Sequence, residues 1–350
     1  MAKEPKQPER RAEVLEVVAL PPGTTPWPTR DPFLFCVHHY DAYPRGNSDL
    51  GPDASLAGRR MGQDFAGIDG WRMYHGQKVP GFPSHPHRGF ETVTLARQGL
   101  IDHADSLGAA ARYGDGDVQW LTAGAGIQHS EMFPLLKRDA SNPAELFQLW
   151  LNLPAASKFA KPHFAMFWDQ QVPKVTLRDS EGRATRVTVV AGALAEAKPP
   201  APPPESWASQ PDSDVAIWTL EMDANAELQL PPAKPGTNRS IYFFEGKEIT
   251  LGGRTIARGH RIDVTSDLPL DVRNSTEPGQ VLVLQGRAIG EPVVSHGPFV
   301  MNTRAEIAQA IRDYQSTGFG GWPWPSRDPV HGAEPRRFAR RPDGTVEEPS

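Results

Sequence analysis

Short segments in which polar and apolar residues alternate, each bounded by a turn, are the feature that most limits the fold of this chain. Segments 91–96 and 118–122 alternate in this way, and glycine-containing turns lie at 98–99 and 115–117. An alternation with a period of two is typical of β-strands that are buried on one face. Strands of about five residues at this spacing predict a β-sandwich or a β-barrel.

The second half of the chain repeats this pattern. Proline and glycine, with 36 and 32 residues among 350, approach a fifth of the chain, as expected where many short strands are joined by turns. One helix is predicted near the end, where Thr303 is a candidate N-cap, Glu306 is its capping-box partner and segment 305–314 has helical spacing. We therefore predict an all-β chain with two similar halves. Further strands are predicted at 33–38, 146–151, 187–190, 215–220, 227–230, 240–244, 270–272 and 281–284.

Four candidate metal ligands occur in two tight pairs, His85 with His87 and His129 with Glu131. Side chains two positions apart on a strand lie on the same face and are close enough to contact one ion. One face of a sheet could therefore present two donors from each of two strands. A single histidine is more often an ordinary core or surface residue. That interpretation is given to His38, His39, His75, His103, His163, His260, His296 and His331.

Glu91 is the rival carboxylate to Glu131. On an ideal strand Glu91 would lie about 13 Å beyond His87, which is too far to share an ion unless Gly89 bends the strand. Glu131 has no such distance problem, so it is the predicted fourth ligand. Glu91 is predicted to be a structural residue or to form a hydrogen bond behind the ligands.

The donor set indicates a metal ion with open coordination positions. Three imidazoles and one carboxylate leave about two positions free on an octahedral ion, and mixed nitrogen and oxygen donors suit Fe(II), with Mn, Ni, Cu or Zn as alternatives. Structural zinc sites have four protein ligands and often use cysteine, whereas Cys36 is the single cysteine of this chain. The site is therefore predicted to support chemistry or ligand binding.

Charge and composition argue against several classes of function. The chain has 37 Lys+Arg and 42 Asp+Glu, a formal net charge of -5, without a basic stripe, so no direct contact with nucleic acid is expected. No apolar run approaches the roughly 20 residues needed to cross a bilayer, and segment 1–11 lacks the apolar core of a targeting signal. One cysteine suits a reducing compartment. We expect a cytoplasmic protein that does not associate with a membrane.

Four long motifs resemble the pirin family of the cupin superfamily. They are the segments 85–93, HPHRGFETV, 116–132, GDVQWLTAGAGIQHSEM, 149–154, LWLNLP, and 296–303, HGPFVMNT. The resemblance extends from about residue 32 to residue 314.

This resemblance implies a bicupin, two antiparallel β-barrels of the jelly-roll type, with one Fe(II) ion in the N-terminal barrel. The family's three histidines and one glutamate fall on the four candidate ligands, and the second barrel is implied to have lost its metal. Segment 296–314, with its short helix, is implied to return to the first barrel. The predicted domain organisation is a mobile N-terminus at 1–12, a metal-binding cupin domain at 13–160, a second cupin domain at 161–290, a return segment at 291–317 and a surface or disordered tail at 318–350.

Two functions are implied by the resemblance. The first is quercetin 2,3-dioxygenase activity, an oxidoreductase reaction in which a metal-bound flavonol reacts with O2 and releases carbon monoxide. Under this hypothesis Glu131 is also the base, and Phe82, Phe90 and Trp150 shape the pocket. The alternative is an iron-dependent redox sensor that binds a protein partner, such as a transcription factor or a metabolic enzyme, without turnover. A cupin that holds its metal without catalysis is a third hypothesis.

Overall fold

The alternating segments form strands that pair almost entirely with antiparallel neighbours. The computed structural model describes residues 13–349, so the predicted mobile segment 1–12 lies outside the described residues. The first ten strands are β1 (Val14–Ala19), β2 (Phe33–Asp41), β3 (Gly81–His87), β4 (Phe90–Gln98), β5 (Leu100–Asp105), β6 (Ala110–Gly114), β7 (Val118–Thr122), β8 (Ile127–Met132), β9 (Ala144–Asn152) and β10 (His163–Phe167).

The first barrel consists of two sheets with an apolar core between them. One sheet has the strand order β10-β7-β4-β9-β2, and the other contains β6-β5-β8-β3, with β3 at its edge. Leu121 and Leu146 from the first sheet are buried in one cluster with Tyr113 and Ile127 from the second. Alternate residues of each strand thus fill the interior, as the period of two requires.

The second barrel has the same construction. Its own strands are β11 (Lys174–Arg178), β12 (Ala184–Ala191), β13 (Ala216–Met222), β14 (Glu227–Leu230), β15 (Thr237–Glu245), β16 (Glu248–Leu251), β17 (Arg254–Ala257), β18 (His260–Val264), β19 (Leu270–Asn274) and β20 (Gly279–Arg287). A large sheet has the order β1-β18-β15-β20-β13-β12-β11 and faces a smaller sheet with the order β14-β19-β16-β17. The interior of this barrel is filled with apolar side chains such as Trp218, Ile249 and Val272.

The two barrels pack face to face through their larger apolar surfaces. Trp120 and Phe147 from the first barrel are buried in one cluster with Ile217 and Leu282 from the second, and Cys36 is fully buried there. The strands of β4 and β9 therefore carry apolar side chains on both faces, one toward their own barrel and one toward the other. The predicted all-β bicupin fold is confirmed.

Strands near both ends of the chain pair with a barrel other than the domain predicted for them. β1 pairs with β18 and so belongs to the large sheet of the second barrel. In the predicted tail the strand Phe338–Arg340 pairs with β6 and extends a sheet of the first barrel, while most other residues of 318–349 are partly or fully exposed. The remaining elements are β21 (Val294–His296), β22 (Phe299–Met301), α1 (Arg304–Thr317), β23 (Phe338–Arg340), β24 (Val346–Glu347) and the short 3-10 helices Ile68–Gly70, Ala155–Ser157, Asp169–Gln171, Trp207–Ser209 and Gly318–Gly320.

The segment after β20 returns to the first barrel, as predicted. The Val300 amide donates to the Arg88 carbonyl oxygen at 3.0 Å, and the Arg88 guanidinium pairs with Asp313 of α1 at 2.6 Å. Gln128 of β8 donates to the Gly318 carbonyl oxygen at 2.6 Å. No helix within residues 13–349 is both long enough and apolar enough to cross a membrane.

Replacing Thr303 with alanine is expected to lower the free energy of unfolding by about 1 kcal/mol. The Thr303 hydroxyl accepts a hydrogen bond from the Glu306 amide at 3.2 Å, and the Glu306 carboxylate accepts from the Thr303 amide at 2.7 Å. The substitution leaves the Glu306 amide without its side-chain acceptor. Urea unfolding measures the change, Thr303→Ser is the control that keeps the hydroxyl, and equal stability of Thr303→Ala and the wild type would contradict the cap.

Candidate metal centre

Neighbouring strands bring the two predicted ligand pairs together. β3 and β8 pair in antiparallel fashion with His85 opposite His129 and with Phe82 opposite Glu131. β3 contains Pro83 and Pro86, which its position at the edge of the sheet tolerates because no further strand needs their missing amide protons. The register shifts between Phe82 and His85. The two pairs therefore lie side by side on one surface.

Three histidines form a compact cluster that could hold a metal ion. One ring nitrogen each from His85, His87 and His129 lies within 4.8 Å of the others. The ring centroids are 4.5 Å apart for His85 and His129, and 4.9 Å apart for His87 and His129. His87 and His129 are buried. Three imidazoles at this separation are the donor set that Fe, Zn, Ni and Cu sites commonly use.

The hydrogen bonds of these rings fit a bound ion. The His85 Nδ1 atom lies 2.9 Å from the Pro83 carbonyl oxygen and must donate to it, so Nε2 has its lone pair free. His87 Nδ1 and both ring nitrogens of His129 are buried without a hydrogen-bond partner among the described residues. Buried polar atoms without a partner are costly and call for a ligand. A metal ion would satisfy one nitrogen of each ring, so the residues present fit one.

Burial keeps the three rings in their neutral form. It lowers the pKa of His85 to about 4 and lowers the pKa of His87 and of His129 well below the usual value of imidazole. A neutral imidazole has a free lone pair, which is the form that binds a metal.

Glu131 lies beside the histidine cluster. Its Oε2 atom is 3.9 Å from His129 Nε2, and the Gln148 amide donates to Oε1 and Oε2 at 3.1 and 2.8 Å. Thr94 adds a hydrogen bond at 3.3 Å. Burial raises the pKa of Glu131, while the hydrogen bond from Gln148 acts in the opposite direction. The carboxylate is thus held in a fixed orientation next to the three rings.

Glu91 is separated from this cluster because the chain turns at Gly89. Gly89 has φ 85°, and a Cβ atom there would lie 2.0 Å from the Val300 carbonyl oxygen. β3 and β4 therefore belong to different sheets. Glu91 is fully buried and accepts hydrogen bonds from Thr122 at 2.7 Å and from Ser206 at 2.5 Å. The bend at Gly89, which the distance argument left open, thus separates β3 from β4, and neither hydrogen-bond donor to Glu91 is one of the candidate ligands.

The histidine cluster opens into a cavity of about 620 Å³. Phe82 and Trp150 lie on its wall, whereas Phe90 is buried behind Trp150, with the two rings 4.3 Å apart. Such a volume is typical of small-molecule sites. The other side chains on the wall are those of Thr24, Phe35, Val37, His39, Phe65, His75, Pro83, Ser84, His85, His87, Glu131, Gln148, Pro298 and Arg327.

Sequence reasoning missed several polar residues of this cavity. Gln148 could have been recognised from the sequence, because it is the polar residue at an inward position of the apolar segment 146–151. His39 and His75 were assigned as ordinary histidines, but both line the cavity. Arg327 lies in the predicted tail, donates to the Ser84 carbonyl oxygen at 2.6 Å and reaches the cavity wall. These residues come from distant segments, so spacing in the sequence does not reveal them.

Two family models match the chain. The model described as Pirin covers residues 24–151, and the model described as the Pirin C-terminal cupin domain covers residues 217–320. The first match contains all four candidate ligands. Arg327 lies outside both matches.

Individual relatives agree with these matches. A Pseudomonas aeruginosa protein with the provisional name quercetin 2,3-dioxygenase is 35% identical over 243 residues, covering 69% of this chain and 80% of that relative. Pirin of Rattus norvegicus is 32% identical over 267 residues, covering 71% and 81%. A crystal structure of quercetin 2,3-dioxygenase from Acinetobacter baumannii superposes with a TM-score of 0.69 and 26% identity, covering 88% of this chain and 98% of that one.

Proposed function

Because the chain belongs to the pirin family, we propose that it is a metal-dependent dioxygenase of the quercetin 2,3-dioxygenase type. The observation that carries the proposal is that His85 and His87 of the three-histidine cluster line a cavity of about 620 Å³ with aromatic walls. A purely structural metal site would be closed by protein ligands. An open site at the end of an apolar cavity favours a flat aromatic substrate that reaches the ion.

In this proposal His85, His87, His129 and Glu131 hold one Fe(II) ion, which Mn, Ni, Cu or Zn can replace. When bound, the ion would supply Lewis acidity toward a flavonol hydroxyl and a route for electrons toward O2. Burial lowers the pKa of each histidine, so the rings are neutral and need lose no proton to bind the ion.

Side chains of the cavity accept a proton from the substrate and hold its rings in place. Glu131 accepts the proton of the flavonol hydroxyl, and the hydrogen bonds from Gln148 and Thr94 orient its carboxylate. Phe82 and Trp150 contact the flat rings of the substrate and exclude water from the reacting atoms. Phe90 supports Trp150 from behind.

Oxygen uptake in the presence of quercetin tests this proposal. Protein reconstituted with Fe(II) without air is expected to consume O2 and to release an equal amount of carbon monoxide when quercetin and air are added. Removing the base by Glu131→Gln is expected to slow the reaction by at least roughly 100-fold. Uptake no faster than that of free Fe(II) would contradict the dioxygenase proposal. That result, with partner binding that depends on the oxidation state of iron, would favour the redox-sensing alternative.

A further inference from the structure

A chain of four side chains runs from the cavity wall into the loop that follows β2. His39 Nδ1 lies 2.9 Å from the Tyr74 hydroxyl oxygen, and Tyr74 donates to Asp41 Oδ2 at 2.5 Å. Arg72 donates to the other oxygen of Asp41 at 3.0 Å. Of these four residues only His39 lines the cavity. We call the four residues the His39 relay.

The relay determines which nitrogen of His39 carries the proton. Burial raises the pKa of Asp41, but the Tyr74 hydroxyl and the Arg72 guanidinium favour its ionised form. A carboxylate only accepts hydrogen bonds, so the single Tyr74 proton is given to Asp41. The Tyr74 oxygen must then accept from His39, which places the imidazole proton on Nδ1.

The other nitrogen of His39 is left as a hydrogen-bond acceptor. Burial lowers the pKa of His39 to about 3, so the ring holds one proton at neutral pH. His39 is only 7% exposed, and within residues 13–349 its Nε2 atom has no hydrogen-bond partner. Because the Nδ1 edge of the ring is turned toward Tyr74, which does not line the cavity, the Nε2 edge is the one available to a ligand.

The backbone of Tyr74 gives independent support for a built site. Tyr74 has φ 55°, in the left-handed region that bulky residues rarely adopt. Its amide and carbonyl groups both pair with Asp64, at 3.0 and 2.9 Å. Unfavourable backbone conformations of this kind are often retained at functional sites. Here the conformation places the Tyr74 hydroxyl between His39 and Asp41.

We propose that His39 Nε2 accepts a hydrogen bond from a substrate hydroxyl that is not the one held at the histidine cluster. The inference rests on the proposed function for the identity of the substrate, and it narrows the substrate class to aromatic compounds with at least two separate hydroxyl groups. His39 acts in binding, since it stays neutral and gives up no proton to the reaction. Tyr74, Asp41 and Arg72 are positioning residues that fix its tautomer.

The tautomer is measured by 15N NMR on Zn(II)-loaded protein labelled at histidine, with His39→Gln identifying the signal. The proton is expected on Nδ1 in the wild type. In Tyr74→Phe it is expected to move to Nε2, because the buried Nδ1 atom has lost its acceptor. Tyr43→Phe is the matched control, since the Tyr43 hydroxyl donates to the Arg72 carbonyl oxygen and does not contact His39. A wild-type proton on Nε2 would overturn the proposal.

Binding without air tests the consequence for the ligand. The probes are 3-hydroxyflavone, with one hydroxyl group, and quercetin, with several. In His39→Phe, which has no ring nitrogen, the preference for quercetin over 3-hydroxyflavone is expected to fall about fivefold, the value of one hydrogen bond to a neutral acceptor, while Tyr43→Phe keeps the wild-type preference. An unchanged preference in His39→Phe would overturn the role of His39.

The two measurements separate this inference from the proposed function. Flavonol binding with the expected preference but without O2 uptake would refute the dioxygenase while supporting His39 as an acceptor. If neither flavone bound, the flavonol would be excluded as substrate, and the NMR tautomer alone would decide whether His39 Nε2 is an acceptor.

Discussion

Replacing His129 with alanine is expected to reduce the metal content of the purified protein from about one ion per chain to nearly none. His129 is fully buried, and its ring lies 4.5 Å from that of His85 and 4.9 Å from that of His87. Changes behind a metal ligand already cost 10- to 100-fold in affinity, so loss of a ligand is expected to weaken binding by roughly 100-fold or more. Elemental analysis after Fe(II) reconstitution and desalting gives the content.

A buried histidine can also be important for folding, so the experiment needs controls. His38→Ala removes a histidine of the same barrel that binds Glu145 at 2.9 Å and lies outside the cluster. It is expected to retain the metal. Circular dichroism establishes that His129→Ala is folded, and His129→Gln fills the space if it is not. Unchanged metal content in a folded variant at His129 would show that the ligand assignment is wrong.

The two ligand pairs of the candidate metal centre could be predicted because each pair is defined by the spacing of two residues that are close in the sequence. Two residues separated by one share a face on any strand, so His85 with His87 and His129 with Glu131 form pairs whatever the rest of the fold. His85 lies opposite His129 because β3 pairs with β8, and some 40 residues of chain separate these two strands. Such a register is set by the folded chain, and the sequence does not reveal it without the family resemblance.

The position of Glu91 could not be predicted from an ideal strand. A glycine at position 89 permits a bend, but the sequence does not show that the backbone there is left-handed and leads into another sheet. One hydrogen-bond partner of Glu91 is Ser206, 115 residues away in the segment between β12 and β13 of the second barrel. No local pattern predicts a contact over that distance.

The contacts made near the ends of the chain and at the far wall of the cavity could not be predicted for the same reason. β1 has the composition of a strand, but its partner β18 is some 250 residues away. Arg327 lies in a proline-rich segment without periodicity and is held at the cavity wall by two hydrogen bonds to the backbone of Ser84, some 240 residues away. Predicting these contacts would require knowing which sheet edges stay open, a property of the assembled barrels.

Glu91→Gln is expected to gain about 3 kcal/mol of stability relative to the wild type as the pH rises from about 4.5 to about 8. Burial raises the pKa of Glu91 from 4.5 to about 7, although hydrogen bonds from Ser206 and Thr122 act in the opposite direction. Between about pH 4.5 and about pH 7 the Glu91 carboxyl group is ionised in the unfolded chain but protonated in the folded protein. The contribution of Glu91 to stability is therefore complete below about pH 4.5, falls through this interval and is constant above about pH 7.

Urea unfolding of metal-free protein at the two pH values measures the difference in free energy between variant and wild type, so other titrating groups cancel. Glu277→Gln, which changes an exposed carboxylate, is expected to follow the wild type at both pH values. A difference between Glu91→Gln and the wild type that stays constant with pH would mean that Glu91 has the same pKa in the folded and unfolded chain. The hydrogen bonds from Ser206 and Thr122, or water that reaches the carboxylate, would then have to offset the effect of burial on this pKa.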